Sequence, residues 1–112
     1  MVHYQDTQLD QVFSALGDPT RRAILATLMA GECKVSDFPV ADRMSLTGLS
    51  KHVRVLARAG LISHEKRGRD RICRLEPGAL RQAADWVGQY RRFWESQIDR
   101  LEVFLAAEGD DQ

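Results

Sequence analysis

Apolar residues recur along the chain with a spacing that changes from helical to strand-like and back to helical. Leu9, Val12, Phe13 and Leu16 stand at i, i+3, i+4 and i+7, which predicts a one-sided helix over about Thr7 to Leu16. Gly17 ends it. Asp18 is then placed as N-cap and Pro19 as first residue of a second helix, with Ile24, Leu25 and Leu28 apolar, that runs to about Met29 and closes at Ala30-Gly31. Glu32 to Val35 reads as a residue pair of strand. Ser36 is placed to cap a third helix through Asp37, Phe38, Pro39, Val40 and Ala41, with Pro39 in the first turn, where no intrahelical donor is needed. After a turn at Arg43-Met44, Ser45 caps a fourth helix to about Ala59. Leu49, Val53 and Leu56 form its apolar stripe, and Gly60 stops it.

The period then shortens. Leu61 to Lys66 and Arg71 to Leu75 read as two strands, and Arg67-Gly68-Arg69-Asp70 between them is turn chemistry, so a β-hairpin with a loop of about four residues is predicted. Pro77-Gly78 punctuates. A long helix follows from about Ala79 to Ala106, and the acidic, apolar-poor residues 107–112 are expected to fray. The order is helix, helix, helix, helix, hairpin, helix: mainly α with a small β-hairpin (α+β). Helices three and four form a helix-turn-helix and the hairpin a wing, which predicts a single winged helix-turn-helix domain over residues 1–112.

Size excludes little else. A chain of 112 residues is about one domain and can bury a core without staples. No run of about 18 apolar residues offers a membrane span. The first residues, Met-Val-His-Tyr-Gln-Asp, have neither the basic start nor the apolar stretch of a secretory signal. Two cysteines, Cys33 and Cys73, are too few for a disulfide scaffold, and the expected compartment is the reducing cytoplasm.

Charge changes the picture more. The formal net charge is zero, yet Arg43 to Arg74 hold nine Lys/Arg against Glu65 and Asp70, a local excess of seven positive charges. A basic field gathered on a helix and an adjacent ribbon is the electrostatic footprint of a duplex-DNA reader. On the fourth helix the face opposite the apolar stripe carries Thr47, Ser50, Lys51, Arg54 and Arg58. Thr47, Ser50 and Lys51, near its start, are candidates for base contact. Gly48 leaves room for close approach, and Arg54 and Arg58 suit phosphates. His52 sits at the stripe's edge, where it either touches DNA or packs against the third helix. The wing tip carries Lys66, Arg67, Arg69 and Arg71 around Gly68, fit to straddle a phosphate strand or enter a narrow minor groove. Any one of these side chains could be an ordinary solvated charge; the cluster is what points to DNA.

With those residues in place, the chain resembles the ArsR/SmtB family of winged-helix transcriptional repressors over roughly Gln11 to Leu105. The most specific stretch is Ser45-Leu-Thr-Gly-Leu-Ser-Lys-His-Val-Arg-Val-Leu-Ala-Arg-Ala-Gly-Leu61, which looks like that family's recognition helix. Ala15-Leu-Gly-Asp-Pro-Thr-Arg-Arg-Ala-Ile-Leu25 and Glu65-Lys-Arg-Gly-Arg add to it. The resemblance implies a homodimer that binds an inverted-repeat operator and represses transcription, with Ser45 among the DNA-contacting residues. The family's metal sites do not carry over. Where many members place Cys-x-Cys, this chain reads Lys34-Val35-Ser36, with Cys33 one residue too early. The last helix has Asp85, Glu95, Asp99 and Glu102 but no histidine. Soft divalent metals need thiolate or imidazole ligands, so no metal and no cofactor are expected, and the released signal is expected to be something else.

The last helix is also a candidate for pairing. Leu80, Val87, Tyr90, Trp94, Ile98, Leu101 and Leu105 make an apolar stripe of about seven turns, more than a small core can cover. A two-fold interface is expected from Leu9, Val12, Phe13 and Leu16 of the first helix with Val87, Tyr90, Trp94, Ile98, Leu101 and Leu105 of the last. A small-molecule effector could bind between these helices and change the spacing of the two recognition helices. Two alternatives stay open. One is a redox-sensing repressor using Cys33 and Cys73, whose strands can pair; against it stands the ordinary case of two inert buried thiols. The other is a winged-helix protein-interaction module without DNA binding. No catalytic spacing links Cys33, Cys73, His3, His52 and His64, so no enzyme is expected.

Overall fold

The computed structural model describes residues 4–110, and the side chains of residues 7–109. Helix α1 spans Tyr4–Leu16 and α2 Pro19–Leu28. Strand β1 is Cys33–Lys34. Two short 3-10 turns, Val35–Asp37 and Pro39–Arg43, lead into α3, Leu46–Arg58. Strands β2, Ile62–Arg67, and β3, Asp70–Leu75, form the hairpin, and α4 runs over Pro77–Asp110. This is the winged helix-turn-helix expected, with four α-helices and one three-stranded antiparallel sheet of order β1-β3-β2 among the described residues.

The caps form as the sequence dictates. Asp18 accepts from the Arg21 backbone N–H at 3.0 Å, with Pro19 in the first turn. Ser45 Oγ accepts from the Gly48 N–H at 3.0 Å. At the hairpin the loop is two residues, Gly68-Arg69, not four, because Arg67 and Asp70 are still paired. Gly68 has φ +62 and Arg69 does not share the positive region, the pattern of a turn with glycine at its first central position.

The expected third α-helix does not form. Phe38 is extended, with φ −62 and ψ 134, and it divides the segment into two 3-10 turns. A residue before proline is driven out of the α region by the ring's Cδ. Pro39 is acceptable to a helix started at Ser36, but Phe38 is not. Ser36 caps nothing; it lies within the first turn. The Phe38 side chain is nevertheless buried in the same core cluster as Ile24, Leu49, Leu56 and Leu61.

The core joins α1, α2, α3, the sheet and only the start of α4, through Ala79 and Ala83. Beyond Trp86, which still meets Phe13 of α1, the last helix leaves the body of the protein. Its 34 residues give about 51 Å of rod, and the molecule measures 72 × 37 × 21 Å. Its radius of gyration of 19.8 Å exceeds the roughly 13 Å of a compact chain this long. The helix stays regular to Asp110, so the fraying expected from residue 107 is not seen in the described part. Leu105, Ala106, Ala107 and Glu108 are good helix formers and carry it on.

Candidate nucleic-acid interface

Helix α3 buries Leu49, Val53 and Leu56 and turns Thr47, Lys51, Arg54 and Arg58 outward, while Gly48, Ser50 and His52 are half-buried. Ser45 is exposed, and its hydroxyl oxygen is committed to the cap. A Cβ at Gly48 would lie 3.3 Å from Ser45 Oγ, so glycine here also keeps space for the cap.

The wing closes against this helix around a groove of about 600 Å³. Ser50 and Arg54 line one wall; His64, Arg69 and Arg71 line the other, with Leu46, Val35 and Val53 between. Asp70, also on the groove, is partly offset by Lys34, whose Nζ lies 3.5 Å from Oδ1. Arg71 Nη1 lies 2.5 Å from His64 Nδ1 and donates to it, since a guanidinium has no acceptor. Arg58 lies on another flank, lining a hollow with Thr7, Gln11 and Ser14 of α1. Among the described residues Lys51, Arg54, Arg58, Lys66 and Arg69 are in no ion pair.

Arg67 differs from its neighbours. It donates to Glu32 at 2.8 and 3.2 Å and to Glu65 at 2.6 and 2.9 Å. Those bonds raise the guanidinium's pKa further and hold the Glu32 carboxyl below the ordinary range. So Arg67 ties the tip of the wing back to the loop before β1 rather than reaching outward. Glu32 was missed as a partner because 35 residues separate the two.

Cys33 and Cys73 face each other in the β1–β3 register and both are free thiols. Burial pushes both up in pKa, with Asp37 adding to the effect at Cys33 and Cys33 at Cys73. Among the described residues no three His, Cys, Asp or Glu side chains gather as a metal-ligand set.

On the pairing candidates the structure divides the set. Val12 is 1% exposed in the protomer's own core, so it is withdrawn from any interface: α1 packs against α2 and α3 as well as α4, and Val12 lies in the core they share. Leu9 and Leu16 pack partly on that core. Phe13 stays at the surface and meets Trp86 edge-on at 5.4 Å, and Trp86 meets Tyr90 at 4.7 Å. Val87, Tyr90, Trp94, Ile98, Leu101 and Leu105 are all exposed on α4.

A winged helix-turn-helix with a polar recognition face defines a DNA-binding transcriptional regulator. The comparisons agree. A helix-turn-helix domain family model matches residues 16–65. The chain is 32% identical over 105 residues to the HTH-type transcriptional regulator Rv2034 of Mycobacterium tuberculosis, over 91% of this chain and 92% of that one. It is 30% identical over 79 residues to the transcriptional repressor SdpR of Bacillus subtilis, over 70% and 88% of the two chains. Its fold is similar to the crystal structure of an ArsR family transcriptional regulator, RHA00566, with a TM-score of 0.74 and 36% identity over 86% of this chain and 98% of that one. The chain belongs to the ArsR/SmtB family of winged-helix transcriptional regulators. It is a regulator and not an enzyme.

Proposed function

We propose that the chain acts in the cytoplasm as a homodimeric repressor of an inverted-repeat operator, released by a signal other than a metal. The observation that carries the DNA reading is the shared groove, where Ser50 and Arg54 on α3 face His64, Arg69 and Arg71 on the wing. A phosphate strand lying there would leave Thr47, Ser50 and Lys51 towards base edges, with Ser45 and Gly48 at the helix start, and Lys66 and Arg69 on the outer backbone. What supports the two-fold reading is the uncovered apolar side of α4. Trp94 is 61% exposed and Leu101 56%, far from the body of the protomer, and a second copy would cover them isologously. A hollow of about 410 Å³ beside Tyr90, Phe93 and Trp94 offers a place for a small apolar effector near the same surface.

The test is selection of duplexes from a random pool by the full chain, followed by titration in rising salt. Two-fold symmetric sequences are expected, with half-sites about one helical turn apart and an affinity that falls steeply with salt. Failure to enrich any duplex would overturn the operator reading and favour the interaction module.

A further inference from the structure

Arg21 sits on α2, away from the groove, yet its guanidinium reaches two other elements. Nε donates to Ala15 O at 2.7 Å and Nη2 to Ser14 O at 3.0 Å, both at the end of α1. Nη1 lies 3.2 Å from His52 Nδ1 on α3. A guanidinium has five donors and no acceptor, so this contact has one sense: Arg21 donates and Nδ1 accepts. The neutral imidazole so held carries its proton on Nε2. The Asp18 carboxylate is 3.9 Å from the same Nδ1, but Oδ2 already takes the Arg21 backbone N–H at 3.0 Å. A proton placed on Nδ1 to reach Asp18 would point at the Arg21 cation.

The His52 side chain keeps 20% of its surface exposed, and among the described residues nothing bonds Nε2. His52 follows exposed Lys51 and stands on the flank of α3 opposite the wing-facing Ser50. At that flank a helix in a groove meets backbone rather than base edges, and a single aimed N–H suits a phosphate oxygen.

We propose that Arg21 is a positioning residue for DNA binding, holding His52 so that its Nε2–H is offered to one phosphate on the side of the recognition helix away from the wing. This rests on α3 being the recognition helix. It adds a backbone contact and the residue that aims it, and it couples the end of α1 to that contact.

Two substitutions separate the ring nitrogens. His52→Asn keeps an acceptor near the Nδ1 position and removes the distal donor. His52→Gln keeps a donor near the Nε2 position and removes the acceptor. Each is measured against a selected duplex carrying single neutral methylphosphonates. In the parent protein one replacement per half-site is expected to weaken binding about tenfold, in H52N the same replacement less than about twofold, with H52Q between. Arg21→Met is expected to shrink the penalty at that phosphate alone. Nitrogen-15 spectra of the parent protein should show the His52 proton on Nε2, and R21M should populate both tautomers. Equal phosphate penalties in parent and H52N, or a parent ring protonated on Nδ1 alone, would overturn the proposal. Should R21M fail to fold, the parent spectrum and the H52N pattern still decide. A parent chain that enriches no duplex overturns the operator reading first, and this proposal with it.

Discussion

Arg67 on β2 and Glu32 in the loop before β1 are joined by two hydrogen bonds, Nη1 to Oε1 at 2.8 Å and Nη2 to Oε2 at 3.2 Å. The pair is bidentate, the geometry in which a guanidinium holds a carboxylate best. It makes the wing's arginines unequal. Arg69, one residue past the turn glycine, is in no ion pair among the described residues, while Arg67 already has two carboxylate partners.

Arg69→Ala should therefore lower affinity for every duplex about tenfold and flatten the salt dependence by about one counterion. Arg67→Ala should cost markedly less. Salt titrations of both variants on one selected duplex check this, and equal losses would show that Arg67 leaves its carboxylates on binding.

The pairing surface gives a second expectation. Trp94→Glu should convert a dimer to a monomer at micromolar concentration with helix content nearly unchanged, since Trp94 touches the aromatic Phe93 at 5.8 Å but no core residue. Operator affinity should fall at least about a hundredfold as the second half-site is lost. Sedimentation equilibrium and duplex titration read both effects. A parent protein that sediments as a monomer removes the dimer.

The α2 cap has a pH signature. The Arg21 backbone N–H bond holds the Asp18 carboxyl below its ordinary value of 3.8, with the Arg21 charge acting in the same direction. The folded state thus binds this proton less readily than the unfolded chain. Its stabilisation is complete above about pH 4 and is lost as pH falls below that. Asp18→Ala should lower stability by about 1 kcal/mol at neutral pH, and the difference from the parent should shrink as pH falls below about 4. Denaturant melts across that range measure it.

For the cysteines the expectation is inertness. Both thiols are pushed up by burial, so little thiolate exists near neutral pH. The native protein should react with a thiol reagent at least about tenfold more slowly than the unfolded chain. Mild oxidation should leave operator affinity unchanged. A loss of affinity that reductant reverses would establish the redox alternative, for which the register of Cys33 on Cys73 is the favourable geometry.

Much of this was legible in the sequence because it is local. Asp18-Pro19, Ser45 with Gly48, and Gly68 specify their turns within three or four residues, and the Leu49-Val53-Leu56 stripe orients the recognition helix by itself. The lost helix shows where residue-by-residue rules stop: Pro39 is acceptable for its own missing N–H, but its ring holds Phe38 out of the α region. The fate of Arg67, the burial of Val12 and the bridge from Arg21 to His52 depend on residues 31 or more apart or on which side of α1 the core falls. No spacing rule encodes those.

The reach of α4 beyond Trp86 links folding to abundance. A lone chain holds up an unsupported greasy mast whose outer turns gain nothing from the rest of the protomer, and the proposed second mast would shelter it. Heat resistance should then climb with protein concentration, and a diluted regulator should unravel from that far end first.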